Sequence, residues 1–294
     1  ITSLSYDHLA VLGDTLAKIA GEKAGIIKRG VPVVSSSQKD ESLDVLERVA
    51  KLEGCEFTLV GNDIKFEKIN SSLDGQSLRL IDNLRPSTLR HGERETNRQG
   101  NAFHFPLSNE TNSLEITIPL LGSHQLENAA TAYAALKVSD EAIQKGFAQV
   151  KWRGRFEIAR RDPPVIFDSA HNQDSFARLR ETLEEYFPNQ QAYLIFGASE
   201  DKHILDMFAE MKTKIKRLIV TRADHPRARE VEKIILLARQ AEIENEAATP
   251  VESALARALE LSANDGSIVL SAGSMFVTAE VMKAWKNILA KVLK

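Results

Sequence analysis

Short apolar runs and stretches with helical periodicity alternate along the second half of the chain. The runs predict strands and the longer periodic stretches predict helices. The predicted strands are 165–167, 193–196, 218–220 and 267–270, and the predicted helices are 173–186, 202–213, 228–241, 251–262 and 276–293. Such alternation is typical of a parallel sheet with helices on both faces. Ligands of these sheets bind beyond the carboxyl ends of the strands, so the residues that follow the strands are candidate site residues.

The first half of the chain has a more mixed pattern. It predicts a helix at 40–52, alternating strands within 56–81, a strand at 114–118 and an Ala-rich helix that runs to about Leu136. The segment 82–101 is polar and has no periodicity, so we expect a solvated loop there. We therefore expect an α/β protein, and 294 residues are enough for two domains with separate cores.

Lys23 occupies an unusual position in the first predicted helix. Leu16, Ile19, Ala20 and Lys23 follow one another at i, i+3, i+4 and i+7, so the pattern predicts that Lys23 lies on the apolar face. A buried cation is costly unless it is paired, deprotonated or chemically changed. The alternative is that the aliphatic stem lies on apolar surface and the ammonium reaches solvent at the helix end.

Composition and charge exclude several kinds of partner. A net charge of −3 gives no reason to expect nucleic acid or an anionic membrane as a partner. Cys55 is the single cysteine, which excludes an internal disulfide and suits a reducing compartment. No apolar run approaches the length that spans a bilayer. We expect a monomer in the cytoplasm, or in an organelle if the source is eukaryotic.

The first 32 residues carry a dense set of motif residues. They are Ile1-Thr2-Ser3-Leu4, Asp7-His8, Leu12-Gly13, Thr15, Ile19-Ala20, Glu22-Lys23-Ala24-Gly25-Ile26 and Gly30-Val31-Pro32. This set resembles a segment of the folylpolyglutamate synthase and dihydrofolate synthase family of the Mur ligase superfamily. The resemblance implies that His8 is a magnesium ligand, and that a carbamylated, catalytic Lys23 helps to hold a second metal. A carbamate converts the cation into an anion that can lie beside Mg²⁺, which prefers oxygen ligands.

Two further motifs resemble the ATP-contacting segments of the same family. Residues 122–128 resemble Gly-x-His-Gln-x-x-Asn, and residues 152–157 resemble the hinge motif Trp-x-Gly-Arg-Phe-Glu. By this resemblance Asn128 and Arg155 bind ATP, since an amide both donates and accepts and a guanidinium grips phosphate oxygens. The alternatives are that Asn128 is only a polar residue in the first turns of a helix, and that Arg155 is only a surface arginine. The connection at 136–139 is shorter than in the family, which affects the expected packing near Asn128.

A third motif follows the strand predicted at 165–167. Residues 168–172 resemble the Asp-Gly-Ala-His-Asn of the family, with Ser169 in place of glycine. The resemblance implies that Asp168 binds the nucleotide, and that His171 is a catalytic residue whose role the sequence does not assign. The alternative is that Asp168 and His171 only cap and solvate the strand end.

The resemblance implies a fold and an activity for the whole chain. Residues 1–151 would be part of the central ATPase domain of a Mur ligase, and residues 152–294 its Rossmann-like, doubly wound C-terminal domain. The expected activity is ATP-dependent addition of L-glutamate to folate or dihydropteroate through an acyl phosphate, with ATP and Mg²⁺.

Other interpretations remain open at the level of sequence. The 294 residues contain no G-x-x-x-x-G-K-[ST] phosphate loop, which this family has upstream of its Asp-His pair. We therefore expect the chain to be a truncated ATPase domain that does not turn over by itself. A non-catalytic binding module is one alternative function. A Mur ligase acting on a peptidoglycan precursor is another, and the folate-type segment at 7–26 argues against it.

Overall fold

The computed structural model describes residues 1–6, 13–84 and 113–292, with side chains as far as residue 290. These described residues divide into two compact units. The first comprises Ile1–Leu4, Ala17–Pro119 and His124–Val150, and the second comprises Ser5–Leu16, Leu120–Ser123 and Lys151–Lys294. Helices and strands are numbered here in chain order.

The elements up to residue 150 combine short helices with two small sheets. They are α1 (Leu16–Ala24), β1 (Val33–Ser35), α2 (Asp40–Leu52), β2 (Phe57–Leu59), β3 (Ile64–Ser72), β4 (Gly75–Asp82), β5 (Ser113–Ile118), α3 (Ser123–Ala135) and α4 (Asp140–Ala148). Strands β1 and β2 pair in parallel, and β3, β4 and β5 form an antiparallel sheet in that order.

Helix α2 shows how the sequence directs the core of the first unit. Its bounds are those that the hydrophobic pattern predicts, and Asp40 at its start and Lys51 at its end complement the helix dipole. Leu46 and Ala50 lie on its buried face, where they belong to a cluster with Ala20 of α1 and Val33 of β1.

The second unit is built around one six-stranded sheet. Its elements are β6 (Glu157–Arg161), β7 (Pro164–Phe167), α5 (Gln173–Tyr186), β8 (Ala192–Phe196), α6 (Ile204–Met211), β9 (Ile215–Val220), α7 (Val231–Gln240), β10 (Asn245–Ala247), α8 (Val251–Asp265), β11 (Ile268–Ala272) and α9 (Met275–Val292). The strand order is β10-β9-β8-β11-β7-β6, and every neighbouring pair is parallel except β6 with β7.

Helices cover both faces of this sheet. On one face Leu255 of α8 and Val281 of α9 join a buried cluster with strand residues such as Phe167. On the other face the ring of Phe196 in β8 lies 6.1 Å from Phe176 of α5 and 5.0 Å from Phe208 of α6, measured between ring centroids. The predicted doubly wound α/β fold is confirmed.

The position of β11 identifies the part of the sheet that suits a ligand. It is the last strand in the sequence, yet it lies between β8 and β7. The order in which successive strands are placed across the sheet therefore changes direction beside β11, and ligands of doubly wound sheets bind in the crevice at such a switch point. Among the described residues no helix has the length and apolarity needed to cross a bilayer.

Candidate functional site

The loops that follow β7, β8 and β11 meet closely at the carboxyl edge of the sheet. The backbone N–H of Gly273 donates to the carbonyl oxygen of Ala170 at 2.7 Å. A Cβ on Gly273 would lie 2.5 Å from the ring of Phe196 and 2.6 Å from the carbonyl oxygen of Gly197. The backbone of Gly273 also has a φ of +100°, so this approach excludes any side chain at that position.

Asp168 follows β7 directly and is fixed by its neighbours. Its Oδ2 accepts a hydrogen bond from the N–H of Phe156 at 2.8 Å, and its Oδ1 accepts one from the N–H of Ala170 at 2.7 Å. Its own N–H donates to the carbonyl oxygen of Ser271 at 3.0 Å, and its carbonyl accepts from Thr278 Oγ1 at 2.8 Å. The backbone of Asp168 is therefore held by β11 and α9, and its carboxylate is oriented by the N–H groups of Phe156 and Ala170.

Opposing effects act on the protonation of this carboxylate. Burial raises the pKa of Asp168, while the two backbone hydrogen bonds and the positive charges of Arg155 and His171 lower it by less. The net result is a pKa above the ordinary value for an aspartate. Arg155 and His171 thus lie near enough to Asp168 to affect the pKa of its carboxyl group.

The 152–157 segment holds Arg155 between two fixed residues. Phe156 has a φ of 44°, is only 4% exposed and packs its ring 6.2 Å from that of Tyr186. Gly154 has a φ of +69°, and its carbonyl accepts a hydrogen bond from Ser169 Oγ at 2.9 Å. The side chain of Arg155 is exposed between them. Positive φ at Gly154 and Phe156 gives the backbone the turn that presents Arg155 outward.

Ser169 has a role that the sequence motif did not assign. It replaces a glycine of the family motif, and its hydroxyl ties the loop after β7 to the 152–157 segment through Gly154. Thr278 was likewise missed as the residue of α9 that holds the backbone of Asp168. Serine in place of the family's glycine was the available signal for the contact of Ser169 with Gly154. Nothing in the local sequence indicates the contact of Thr278 with Asp168.

His171 is oriented by the same loop. Its Nδ1 lies 2.9 Å from the carbonyl oxygen of Ser169, and its N–H donates to Ser175 Oγ at 2.9 Å. Because a carbonyl oxygen only accepts, Nδ1 carries the proton, and Nε2 is the basic nitrogen of the neutral ring. The capping of α5 falls to Asn172, which forms a reciprocal capping box with Ser175.

Asn128 lies in the first unit, exposed on the second turn of α3. Its Nδ2 donates to Gln125 Oε1 at 3.3 Å, and Gln125 Nε2 lies 2.9 Å from His124 Nε2. The three side chains of the predicted Gly-x-His-Gln-x-x-Asn motif therefore form one polar network at the start of the helix. Its role in binding ATP stays a prediction.

The prediction that Lys23 lies on a buried apolar face is wrong. The buried residues of α1 are Leu16, Ile19, Ala20 and Ala24, and Lys23 is exposed. Lys23 belongs to the last turn of a nine-residue helix, so its long side chain leaves the core at the helix end. The negative end of the helix dipole favours a cation there. Burial therefore gives no support for carbamylation, and the proposed role of Lys23 depends on the motif alone.

The other predicted metal ligand cannot be placed. His8 lies outside the described residues, as does most of the polar segment at 82–101. Within residues 1–6, 13–84 and 113–292 there is no group of three or more His, Cys, Asp or Glu side chains that could hold a metal ion.

Comparisons with known proteins agree with these motifs. Residues 154–275 match the family model for the glutamate ligase domain of Mur ligases. The chain is 28% identical, over 97% of its length, to the dihydrofolate synthase/folylpolyglutamate synthase of Bacillus subtilis. It is 30% identical over 97% of its length to a probable bifunctional folylpolyglutamate synthase/dihydropteroate synthase of Haloferax volcanii. Over nearly its whole length the chain is similar to members of the folylpolyglutamate synthase and dihydrofolate synthase family.

A solved structure extends this family relationship to three dimensions. The Mycobacterium tuberculosis folylpolyglutamate synthase, complexed with ADP, matches 96% of this chain with a TM-score of 0.79 and 25% sequence identity. The chain spans 62% of the length of both that protein and the Bacillus subtilis relative, and 32% of the Haloferax volcanii relative.

Proposed function

We propose that the protein is an ATP-dependent ligase that joins L-glutamate to a carboxylate of folate or dihydropteroate. The observation that carries this proposal is that Asp168, held by two backbone hydrogen bonds, lies near Arg155 and His171 at the carboxyl edge of the sheet, in a chain related to glutamate ligases over nearly its whole length. The names of the relatives supply the acceptor class. They do not decide between folate and dihydropteroate.

The proposed chemistry proceeds through two transfers. The acceptor carboxylate takes the γ-phosphoryl group of ATP, with release of ADP, and becomes an acyl phosphate. The amine of glutamate then attacks the acyl carbon, and inorganic phosphate leaves from the tetrahedral intermediate as the amide forms. The energetic difficulty is the meeting of several anions, which cationic and hydrogen-bonding groups relieve.

Each site residue has a part in this scheme that follows from its chemistry. Arg155 stays charged and is able to grip phosphate oxygens with two parallel hydrogen bonds. Asp168 and Asn128 would bind the polar groups of the nucleotide. His171 keeps a basic Nε2 in its neutral form, which suits the acceptance of a proton from the ammonium of glutamate.

Magnesium ions, His8 and a carbamylated Lys23 belong to the proposal through the family resemblance. Magnesium would lower the repulsion between the phosphates and the acceptor carboxylate. A monomeric state and a cytoplasmic location are proposed on composition alone.

The test is glutamate-dependent release of ADP, with dihydropteroate and a reduced folate offered as separate acceptors. The assay uses the protein as its own gene encodes it, with a full-length relative as the positive control. Release of ADP that requires both glutamate and one acceptor supports the ligase. If ATP is not consumed with either acceptor while the control is active, the non-catalytic binding module is the better interpretation.

A further inference from the structure

Arg155 lies between two peptide groups that are each bonded to the loop after β7. The carbonyl of Gly154, in the peptide group before Arg155, accepts a hydrogen bond from Ser169 Oγ at 2.9 Å. The N–H of Phe156, in the peptide group after it, donates to Asp168 Oδ2 at 2.8 Å. A residue has two soft backbone dihedrals, and each one turns one of these peptide groups. Two consecutive residues of the loop therefore set the direction in which Arg155 leaves the backbone.

The rest of the 152–157 segment is closed by contacts of its own. Glu157 Oε2 accepts a hydrogen bond from the N–H of Gly154 at 2.9 Å, and Glu157 Oε1 pairs with Arg153 Nη2 at 2.9 Å. Phe156 is buried with a φ of 44°, a conformation that a bulky residue keeps only where its surroundings fix it. The segment is thus a closed turn, which the loop after β7 holds in place.

The contact of Ser169 with Gly154 depends on the residue type at both positions. A Cβ on Gly154 would lie 3.0 Å from Ser169 Oγ, so a side chain there would crowd the hydroxyl. Ser169 stands where the family motif has glycine, which has no side chain to form this hydrogen bond. With glycine at 169, the peptide group before Arg155 would have no partner in the loop. The serine therefore adds a second attachment to the one that Asp168 provides.

Ser169 contacts His171 through a different atom. Its backbone carbonyl oxygen lies 2.9 Å from His171 Nδ1, whereas its hydroxyl donates to the carbonyl of Gly154. A substitution that removes the hydroxyl leaves the backbone carbonyl in place. The effect of Ser169 on the segment of Arg155 is therefore separable from its contact with His171.

We propose that Ser169 is a positioning residue for Arg155, a proposal that rests on the phosphate-binding part given to Arg155 in the proposed function. The hydroxyl fixes the peptide group before Arg155 and so limits the directions that the exposed guanidinium can take before a ligand arrives. Binding costs less free energy when the groups that contact the ligand are already ordered. The ligand class is a phosphorylated molecule, because paired phosphate oxygens match the two parallel donors of a guanidinium.

The first experiment measures backbone order without a ligand, by ¹⁵N relaxation. Arg155 in the original chain should have an order parameter near the value of about 0.85 that is typical of rigid backbone. Ser169→Ala should lower it, whereas Ser253→Ala, which removes a hydroxyl from an exposed position of α8, should not. The ring ¹⁵N signals of His171 should stay the same in both variants, because the carbonyl at 169 remains.

The second experiment is an ADP titration followed by NMR. Ser169→Ala should weaken ADP binding about two- to tenfold, the factor that corresponds to one net hydrogen bond. In an Arg155→Gln background the same substitution should have no further effect, because Ser169 acts through the guanidinium. Ser169→Thr keeps the hydroxyl and should bind ADP within about twofold of the original chain. Thermal unfolding of each variant shows whether it is folded.

Three results would overturn the proposal. They are an unchanged order parameter of Arg155 in Ser169→Ala, an equal loss of ADP affinity in Ser253→Ala, and a loss in Ser169→Ala that persists undiminished in the Arg155→Gln background. Absence of ADP binding by the original chain would reject the phosphate-binding part of Arg155 and this proposal with it. If ADP binds with the expected coupling while the natural protein shows no glutamate-dependent ADP release, the proposed function fails and the positioning role stands.

Discussion

Asp168 is the residue on which the candidate site depends most directly. Its two carboxylate oxygens accept the N–H groups of Phe156 and Ala170, so one side chain joins the end of β7 to the segment before β6. A buried carboxylate that accepts two backbone hydrogen bonds has a structural role as well as any role towards a ligand. Removing it is therefore expected to change both stability and binding.

The substitution Asp168→Asn tests both roles at once. An amide has one acceptor oxygen, so either Phe156 or Ala170 loses its partner, at a cost of about 1–3 kcal/mol in the free energy of unfolding. Nucleotide affinity should fall because the segment that carries Arg155 is released. The measurements are urea unfolding and ATP titration. Asp162→Asn makes the same chemical change at an exposed position, and a loss of equal size there would contradict the prediction.

Lys23 provides a second test at the scale of one residue. If the resemblance assigns its role correctly, incubation with ¹³C-bicarbonate should produce a carbamate signal in the NMR spectrum at neutral pH. Lys23→Ala should remove that signal, and Lys18→Ala on the same helix should keep it. A spectrum without a carbamate, recorded on the natural protein with magnesium and ATP, would reject the modification. Because Lys23 is exposed, burial of the side chain cannot account for a carbamate. A carbamate signal would therefore support the role that the motif implies.

At the scale of single elements, the hydrophobic pattern predicted some parts of the fold much better than others. Helices such as 173–186 and 40–52 were found at their predicted bounds because each has a long apolar face. Strand β6 was missed because its pairing with β7 is antiparallel and its residues are only partly buried. Strand β10 has three residues, too few for alternation to be visible.

The amino-terminal end of the sheet contains a cluster that should respond to acid. The carboxylate of Asp265 accepts hydrogen bonds of 2.6 Å from both Tyr193 Oη and Lys216 Nζ, and one of 2.8 Å from the N–H of Ser267. Partial burial raises the pKa of Asp265, but the hydrogen bonds from Lys216, Tyr193 and Ser267 together hold it well below the ordinary value. The cluster links α8 to β8, β9 and the start of β11.

A depressed pKa in the folded state fixes the sign of the pH effect. The folded protein binds fewer protons than the unfolded chain, so the stabilisation is present above the ordinary aspartate pKa of about 4 and is lost as the pH falls below it. Urea unfolding at neutral pH and near pH 3 should show a smaller acid-induced loss of stability for Asp265→Asn than for the original chain. An identical loss in both would show that the cluster does not contribute.

At the scale of the whole molecule, the candidate site was only partly predictable from sequence. Asp168, His171 and Arg155 were predicted because they belong to motifs, and the fold brings Arg155 near Asp168 through the antiparallel pairing of β6 with β7. The contacts of Ser169 with Gly154 and of Thr278 with Asp168 depend on which segments meet in the fold. Thr278 lies 110 positions after Asp168 in the sequence. Lys23 was misplaced because periodicity gives the direction of a side chain, whereas burial also depends on what covers it.

The chain as it stands is expected to bind nucleotide weakly and to show no detectable ligase turnover. Its 294 residues contain no phosphate-loop motif, and loss of a single preorganised donor already lowers rates by about 100- to 1,000-fold. The measurement is ADP release by this chain beside a full-length relative under the same conditions. Turnover within a hundredfold of that relative would contradict the expectation that the phosphate loop is essential.

Strand β6 has a consequence for association between copies of the second unit. It forms one border of the six-stranded sheet, where unpaired backbone groups would otherwise offer a template for another strand. Its register with β7 shifts between Ile158 and Arg160, and the shift interrupts a regular ladder of hydrogen bonds. The guanidinium of Arg160 donates to the carbonyl oxygen of Pro163 at 2.9 Å and stays at this border. An irregular, charged border of this kind opposes strand exchange and fibrous aggregation at high concentration.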